Sequence, residues 1–169
     1  MANSNSKLTM RVATALDQPV AEEIRQAAFE PVFASFKSIL GNEIYELAQA
    51  KEDQAQGNML NELLAANSEW ELYLAEYEGA PVGFLSLKLD ATSNVGEIGL
   101  NAIHPNRAGI GLGTEMYEFA LERMRESGMK VATVATGGDP SHEPARSAYR
   151  KAGFDTEIPS VWMCKLLAE

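Results

Sequence analysis

Three glycines that alternate along the chain, Gly109, Gly111 and Gly113, form the stretch whose residue types could do chemistry. They stand between an apolar, strand-like stretch and a stretch with helical periodicity that begins at about Thr114. Glycine tolerates positive φ, and a helix N-terminus offers unpaired N–H groups and the positive end of the helix dipole. These features predict an anion site suited to phosphate. Taken alone, the bend is almost equally compatible with a tight turn that binds nothing.

The glycine spacing differs from two common phosphate-binding loops. A Walker A loop places Gly-Lys-Ser/Thr before its helix, and this segment contains no lysine. A Rossmann fingerprint reads G-x-G-x-x-G in an opening parallel unit, whereas this chain has G-x-G-x-G after a predicted antiparallel meander. The sequence therefore excludes both readings and leaves the phosphate compound to be identified from other residues.

A second group of spaced residues comprises His142, Ala145, Tyr149, Gly153 and Phe154. Ala145 and Tyr149 share one face of a predicted helix, and Gly153 suits the position just after its C-terminus. A small residue on such a face would let a thin ligand pass close to the helix. Tyr149 could instead be a core aromatic with its hydroxyl at the rim. His142 could be a polar contact to a ligand or a simple loop histidine.

Glu97 is a carboxylate inside the otherwise apolar stretch Val95–Ile103. A buried carboxylate is costly unless it is paired or hydrated, so its position suggests either function or a local partner. A general base and a hydrogen-bonded carboxylate at the rim of the sheet are equally good interpretations.

The order of these motifs resembles the GNAT superfamily of N-acetyltransferases. Segment His104–Thr114 is similar to the family's pyrophosphate motif, R/Q-x-x-G-x-G/A, with Ala108 where the Arg or Gln is usual. The later segment is similar to N-x-x-A-x-x-x-Y-x-x-x-G-F, with His142 where Asn is usual. The resemblance covers roughly Trp70–Leu167, and residues 16–69 match the family only in being helical.

The resemblance implies that acetyl-CoA is the co-substrate and that no metal takes part. Main-chain amides would hold the diphosphate, and Arg107 or Arg146 is expected to compensate for the side chain missing at Ala108. The residues implied to contact the cofactor are Ile103, Ala108, Gly109, Ile110, Gly111, Leu112, Gly113, Thr114, His142, Ala145 and Tyr149.

The resemblance also implies direct transfer of an acetyl group to an amine in a ternary complex. Glu97 would take the proton of the amine, because a typical alkylammonium has a pKa of about 10. A main-chain N–H within Asn101–Ile103 would stabilise the oxyanion, and Tyr149 would protonate the departing thiolate. Cys164 has no histidine nearby in sequence and is not assigned as a nucleophile. A non-catalytic acyl-CoA-binding module and a purely structural interaction domain stay open as alternatives.

Hydrophobic periodicity predicts the elements that must position these residues. Strands are predicted at 9–14, 70–78, 82–90, 95–103, 130–135, 154–157 and 160–167, and helices at 20–28, 31–41, 59–66, 114–127 and 144–152. Residues 51–57 are expected to form a loop or an exposed helix. Pro31 is expected to end one helix and open the next, because proline suits a first turn and not an interior.

These elements predict an α/β fold of the α+β type: a single mixed, mostly antiparallel central sheet with helices on both faces. One domain is expected over residues 1–169, and residues 1–8 are expected to be a flexible tail. A helical acceptor-side region is expected at 16–69, and the sheet with the acetyl-CoA-binding core at 70–167.

The charge of the chain is unevenly distributed. The net charge is −10 over 169 residues, of which −9 falls in residues 1–100 and −1 in residues 101–169. Such a chain makes a poor general binder of nucleic acid. The acidic half also carries the aromatic residues Phe29, Phe33, Phe36 and Tyr45, and the two features predict a small cationic amine as acceptor. A solvated acidic surface with a neutral acceptor is the alternative.

Composition suggests where the protein works. The sequence contains one cysteine, two histidines, no apolar run of membrane-spanning length and no signal-peptide pattern. We therefore expect a soluble, cytoplasmic protein without disulfides, a metal cluster or a membrane partner. The oligomeric state is left open, with a homodimer as one option.

Overall fold

The computed structural model describes residues 8–167, and its centre is a five-stranded sheet. The strands lie in the order β1-β2-β3-β4-β5. Their bounds are Leu8–Val12 for β1, Trp70–Tyr77 for β2, Ala80–Asp90 for β3, Val95–Ile103 for β4 and Val131–Val134 for β5. The first four strands pair antiparallel, and β5 pairs parallel to β4. The predicted mixed, mostly antiparallel sheet is confirmed.

Helices cover both faces of this sheet. They are α1 Gln18–Ala48, α2 Ala50–Ala55, α3 Met59–Leu63, α4 Leu112–Glu126 and α5 Glu143–Ala152. One core lies between the sheet and α4 and α5, and it contains the buried side chains of Leu85, Ile98 and Met116. The other core packs α1 and α3 against the opposite face through Ile24, Leu60, Leu72, Leu74 and Phe84. The predicted loop or exposed helix at 51–57 is largely the helix α2.

Tight turns join the strands of the predicted meander β2-β3-β4. Glu78 and Gly79 connect β2 to β3 with φ of +54° and +79°, the conformation that matches the twist of a hairpin. Asn94 has φ of +57° immediately before β4. Short connections of this kind fix the register of the three strands, and they place β4 between β3 and β5.

Two irregularities in β4 shape the middle of the molecule. Leu85 pairs with Asn101 whereas Leu87 pairs with Ile98, so β4 carries one extra residue opposite Ser86. The Ser86 hydroxyl donates to the Leu100 carbonyl at 3.0 Å. The pairing between β4 and β5 ends at Ile98 and Val134. Strand β5 itself ends at Val134, so the second half of β4 has no partner on the β5 side among the described residues.

The predicted helix boundary at Pro31 is wrong. Helix α1 runs through Pro31, and the non-helical residue inside it is Gly41, with φ of +73°. Packing compensates for the hydrogen bond that proline removes, because Phe29 and Phe33 contact each other across Pro31 with ring centroids 6.1 Å apart, and Val32 is buried. The predicted break at Gly41 is confirmed.

The two predicted closing strands, 154–157 and 160–167, are also wrong. The chain after α5 forms neither a helix nor a strand as far as residue 167, and positions 155–167 are exposed. At the other end, Leu8 belongs to β1 and pairs with Tyr77, so the predicted tail is too long by one residue. Its remaining part, residues 1–7, lies outside the described residues. Among residues 8–167, no helix is long and apolar enough to cross a membrane.

Candidate active site

The glycine-rich bend forms an open cradle of main-chain amides at the start of α4. Gly109 and Gly111 have φ of +81° and +92°, and a Cβ at either position would meet nothing within 4 Å. Gly111 is the N-cap of α4 and offers no side-chain cap. The first amide that donates within the helix is that of Glu115, to the Gly111 carbonyl at 3.2 Å. The amides of residues 112–114 therefore have no acceptor within the helix and suit an anion.

The side chains of the cradle residues point in different directions. Leu112 is buried in the core, so only its main-chain amide can contact a ligand. Ile110 is 56% exposed, and Ala108 is exposed as well. Gly113 faces α5, because a Cβ there would lie 3.7 Å from the Cβ of Ala148. The close approach of the two helices is thus permitted by small residues.

The two candidate arginines differ in how they are engaged. Arg107 lies in the turn before the cradle, exposed, with its guanidinium 6.0 Å from the centre of the Tyr77 ring. Arg146 donates to the carbonyls of Gly137 and Asp139 and to the Glu143 carboxylate. Arg146 therefore holds the loop before α5, whereas the guanidinium of Arg107 lies beside the cradle.

Tyr149 lies against the part of β4 that has no partner on the β5 side among the described residues. Its hydroxyl accepts a hydrogen bond from Asn101 Nδ2 at 3.0 Å, and the Asn101 Oδ1 accepts one from the Tyr117 hydroxyl at 2.8 Å. The rings of Tyr117 and Tyr149 stack with centroids 4.2 Å apart. Asn101 Nδ2 also donates to the Gly99 carbonyl at 2.9 Å, which fixes the amide. Each partner is thereby held in one orientation.

Burial keeps both tyrosines of this network protonated. Desolvation raises the pKa of Tyr149, and the hydrogen bonds with Tyr117 and Asn101 offset only part of that rise. Desolvation also raises the pKa of Tyr117 well above its usual value, with the neighbouring Tyr149 adding to it. A hydroxyl that accepts a hydrogen bond and stays neutral can donate its own proton to a developing anion.

Glu97 lies on the other face of β4. The neighbouring Gly96 faces α4, since a Cβ there would lie 2.6 Å from Met124, and Ile98 belongs to the same core. Glu97 alternates with them, so it points toward the α1 face, where its side chain is exposed. In the strand register it stands between Lys88 and Thr133. Glu97 and Tyr149 therefore approach the end of the β4–β5 pairing from opposite faces.

His142 lies in a polar cluster at the entrance of α5. Its Nδ1 pairs with the Asp139 carboxylate, which also accepts hydrogen bonds from Ser141 and from Ser35 of α1. Burial raises the pKa of Asp139, but the hydrogen bonds from Ser141, Ser35 and His142 lower it overall. The imidazole stacks on Phe36 with ring centroids 5.9 Å apart. His142 thus ties the loop before α5 to α1, and its role toward a cofactor stays a prediction.

The predicted acceptor-side aromatic cluster is divided in the structure. Phe36 packs on His142, while Phe33 and Tyr45 line a cavity of about 290 Å³ within the α1–α2 region. Asp53 is buried at this cavity and accepts hydrogen bonds from Tyr45 and Gln49. A wider cleft of about 600 Å³ runs along α1 to His104 at the end of β4, and its lining includes Glu23, Glu30 and Arg25.

Sequence reasoning named Asn101 only for its main chain and missed two side chains of the site, those of Asn101 and Tyr117. The Asn101 side chain could have been noticed for the same reason as Glu97: it is a polar group inside an otherwise apolar strand, and a half-buried polar group needs partners. Nothing in the sequence marked Tyr117, whose spacing on α4 is that of an ordinary core residue. Of the predicted cofactor residues, the bend from Ala108 to Thr114 is contiguous, while Ile103 ends β4 and Ala145 lies on α5.

The donor set in this region fits a thioester of coenzyme A. The cradle offers unpaired amides to a diphosphate, and the second half of β4 has no partner on the β5 side among the described residues. No group of three or more metal-ligating side chains occurs within residues 8–167.

Comparison with known proteins agrees with this arrangement. The sequence model of the Acetyltransferase (GNAT) family matches residues 33–154. A mycothiol acetyltransferase of Sanguibacter keddieii is 36% identical over 97 residues, which are 54% of this chain and 30% of that protein. This chain thus aligns with less than a third of that relative.

Solved structures share the fold. PaiA N-acetyltransferase of Thermoplasma acidophilum, in complex with coenzyme A, superposes with a TM-score of 0.68 at 19% identity, over 90% of this chain and 92% of the other. The aminoglycoside N-acetyltransferase AAC(6')-Iy, in complex with CoA, gives a TM-score of 0.61 at 13% identity, over 98% and 99%. The family match covers well over half of the sequence, and the chain belongs to the acetyltransferase (GNAT) family.

Proposed function

We propose that this protein transfers the acetyl group of acetyl-CoA to the amine of a small cationic acceptor by direct attack in a ternary complex. The observation that carries the proposal is the Tyr149–Asn101 hydrogen bond, on the part of β4 that has no partner on the β5 side. Burial keeps the Tyr149 hydroxyl protonated, and α5, which carries it, approaches the start of α4 where Ala148 faces Gly113. Family membership supports the donor and the class of reaction.

The proposed chemistry assigns one proton transfer to each face of β4. The amine nitrogen attacks the acetyl carbonyl carbon, and Glu97 takes the proton that the amine sheds, directly or through water. A main-chain N–H of β4 near Asn101 donates to the oxyanion. The carbon–sulfur bond then breaks, and Tyr149 gives its proton to the departing thiolate. Because Glu97 and Tyr149 lie on opposite faces, the acid and the base do not compete for the same proton.

The charged side chains that line the cleft along α1 support a cationic acceptor. The cleft along α1 is lined by Glu23 and Glu30, with Arg25 as the opposing charge, and Arg25 is paired with Glu22 at 2.7 Å. The cleft therefore presents unneutralised carboxylates toward His104, at the end of the strand that carries Asn101. The relative AAC(6')-Iy is named for aminoglycosides, which are polyamines, and this is consistent with an amine acceptor of that charge.

The test is an acceptor panel with release of the CoA thiol as the readout. Polyamines, aminoglycosides, amino acids, amino sugars and short peptides are each supplied with acetyl-CoA. We expect turnover with amines that carry two or more positive charges and little with neutral or anionic acceptors. Activity confined to neutral or anionic acceptors would refute the acceptor class and leave the acetyl transfer intact.

A variant of the proposed base completes the test. Glu97→Gln should lower kcat/KM by about 10²–10⁴-fold and leave acetyl-CoA binding unchanged, since that is the usual contribution of a general base. Glu69→Gln, at another exposed carboxylate that pairs with Lys88, is the matched control and should keep full activity. Binding of acetyl-CoA without thiol release for any acceptor would instead identify a non-catalytic acyl-CoA-binding module.

A further inference from the structure

The cavity of about 290 Å³ in the α1–α2 region contains a buried carboxylate without a counter-charge. Asp53, on α2, lines this cavity and is 8% exposed. Its Oδ2 accepts a hydrogen bond from the Tyr45 hydroxyl at 2.7 Å, and its Oδ1 accepts one from the Gln49 amide at 2.8 Å. Both donors are neutral, and Asp53 forms no ion pair within residues 8–167. A buried carboxylate is costly without a partner of opposite charge, so the cavity is expected to attract a cation.

Two cationic side chains beside the cavity are already paired with other carboxylates. Arg25, which lines the cavity, donates to both carboxylate oxygens of Glu22 at 2.8 and 2.7 Å. Lys37 pairs with Glu46 at 3.6 Å. Each of these positive charges is balanced by its own partner, and neither neutralises Asp53.

The walls of the cavity suit an organic cation. Phe33, Tyr45 and Ala50 contribute aromatic and apolar surface to the lining. Aromatic ring faces attract ammonium groups, and the attraction is stronger where water is excluded. The hydrogen bond to Asp53, followed by burial, raises the pKa of Tyr45 to about 12, so this hydroxyl stays neutral and adds no charge. Each carboxylate oxygen of Asp53 keeps a lone pair for a further donor.

The same lining does not suit a metal ion or a bulky ligand. Calcium takes about six to eight oxygen ligands, and magnesium requires a nearly octahedral set. No group of three or more metal-ligating side chains occurs in the part of the chain that the structure describes. A volume of about 290 Å³ lies at the lower limit of small-molecule pockets, which is roughly 300 Å³. The cavity therefore has room for a short alkylammonium group.

The cavity lies beside the cleft that runs along α1. Arg25 and Phe33 line both spaces. The lining of the cavity comes from α1 and α2, whereas the cleft also reaches His104 beyond the end of β4. The cavity is thus a neighbour of the cleft, and its lining includes none of the residues to which the acetyl transfer is assigned.

We propose that this cavity binds the ammonium group of a small organic cation, with Asp53 as its counter-charge and Phe33 and Tyr45 as its walls. The ammonium belongs either to the far end of an extended diamine acceptor or to a separate cationic molecule, and the chemistry of recognition is the same. Binding to this cavity does not rest on the proposed acetyl transfer, because it is measured without acetyl-CoA.

Calorimetric titration of the full chain with n-butylamine tests the site directly. n-Butanol has the same length and no charge, and we expect it to bind at least tenfold more weakly than n-butylamine. Asp53→Asn should raise the dissociation constant of n-butylamine at least tenfold, because the ligand loses a hydrogen bond to a charged group. Glu52→Gln is the matched control: it removes the same charge from the adjacent, exposed position of α2 and should leave the affinity unchanged.

A second variant separates loss of the site from loss of the fold. Ala50→Leu keeps the carboxylate and places a larger side chain in the cavity, so it should also weaken n-butylamine binding at least tenfold. Circular dichroism and thermal unfolding show whether each variant is folded. The proposal is overturned if the wild-type chain does not bind n-butylamine, if a folded Asp53→Asn or Ala50→Leu binds it as tightly as wild type, or if Glu52→Gln weakens binding as much as Asp53→Asn.

Steady-state rates with thiol detection distinguish the two sources of the ammonium group. If the cavity holds the far end of the acceptor, Asp53→Asn should raise KM for the diamine putrescine at least tenfold with little change in kcat. If it holds a separate molecule, KM should be unchanged, and added n-butylamine should alter the rate of wild type and not that of Asp53→Asn. Absence of turnover with any amine would count against the acetyl transfer and leave the calorimetric result for the cavity in place.

Discussion

Tyr149 carries a neutral hydroxyl that accepts, and does not donate, in its hydrogen bond with Asn101. Asn101 donates to it, and burial raises its pKa. A phenol with a raised pKa stays protonated throughout the neutral range and is ionised only at alkaline pH above its normal value of about 10. Its capacity to donate is therefore constant over the pH range in which the amine acceptor becomes deprotonated.

Replacement of this hydroxyl tests the role directly. We expect Tyr149→Phe to lower kcat by about 10²-fold or more, the low end for loss of a general acid, with little change in acetyl-CoA affinity. Tyr117→Phe also removes a hydroxyl bonded to Asn101 and is the matched control; it should lose far less activity. Steady-state rates of both variants with thiol detection decide the matter. Equal losses would mean that the network only orients Asn101.

The two arginines near the cradle should have different effects when they are replaced, one on acetyl-CoA binding and the other on stability. Arg107→Ala should weaken acetyl-CoA binding several-fold, because it removes a charge beside the diphosphate; a charge-assisted hydrogen bond contributes about 1.5–3 kcal/mol at most. Arg146→Ala should instead lower the melting temperature, since Arg146 holds the carbonyls of Gly137 and Asp139. Calorimetric titration and thermal unfolding measure the two effects. If neither variant changes the dissociation constant, no arginine replaces the side chain missing at Ala108.

At the scale of elements, the start of α4 provides a test with a built-in control. Gly111 and Gly128 lie at opposite ends of α4 with φ of +92° and +77°, and a Cβ at either would meet open space. Replacing each by alanine should cost a similar strain of about 1–2 kcal/mol. Only Gly111→Ala should also raise the dissociation constant of acetyl-CoA, by tenfold or more, because its Cβ would stand in the cradle. Equal affinity of the two variants would remove the cradle from the site.

The junction of β1 with α1 predicts a pH effect on stability. Asp17 accepts two hydrogen bonds from Arg11, at 2.9 and 2.7 Å, and two from Thr14. The hydrogen bonds from Arg11, ahead of those from Thr14, hold the pKa of Asp17 well below its usual value. A group whose folded pKa is lowered stabilises the fold above its unfolded pKa of about 3.9, and this contribution is lost as the pH falls toward the folded pKa.

Asp17→Asn should therefore lower the free energy of unfolding by about 1.5–3 kcal/mol at neutral pH, the range for hydrogen bonds to charged groups. The difference from wild type should shrink as the pH falls below about 4. Urea unfolding at a series of pH values measures both quantities. Asp155→Asn, at an exposed position, should show no such trend. A difference that stays constant down to low pH would contradict the linkage.

The sequence predicts elements well where local pattern and tertiary environment agree. Strand β4 has the predicted limits, because alternating side chains, flanking turns and central burial all favour the same register. Pro31 shows the opposite case: a local rule predicts a break, and the packing of Phe29 on Phe33 overrides it. The strand predicted at 160–167 does not form, because a pattern of side chains makes a strand only when it pairs with an available edge.

The same distinction applies to the site. The glycine cradle could be predicted, because positive φ and an uncapped helix start are encoded within a few residues. The network of Tyr117, Asn101 and Tyr149 could not, since its members come from two helices and a strand that are distant in sequence. The placement of Glu97 opposite Tyr149 could not be predicted either, because it depends on which side chains of β4 face each of the two cores.

At the scale of the whole molecule, the acidic half and the nearly neutral half carry the two proposed binding regions. The α1 side holds the cleft with Glu23 and Glu30, whereas the cradle at the start of α4 belongs to the half with a net charge of −1. An anionic donor and a cationic acceptor would thus approach surfaces of different potential. Such a field raises the local concentration of the acceptor without requiring a specific contact, and salt screens it.

The salt dependence of kcat/KM distinguishes electrostatic attraction of the acceptor from an acidic surface that only keeps the protein in solution. For a polycationic acceptor, kcat/KM should fall several-fold as the ionic strength rises from about 0.05 to 0.5 M, because the Debye length shrinks from more than 10 Å to less than 10 Å. Glu23→Gln with Glu30→Gln should lower kcat/KM at low salt and flatten this dependence. Glu118→Gln with Glu126→Gln removes the same charge from the exposed side of α4 and should preserve it. If both pairs flatten the dependence equally, the net charge of the molecule governs the acceptor rate; an effect confined to Glu23 and Glu30 would locate the acceptor on α1.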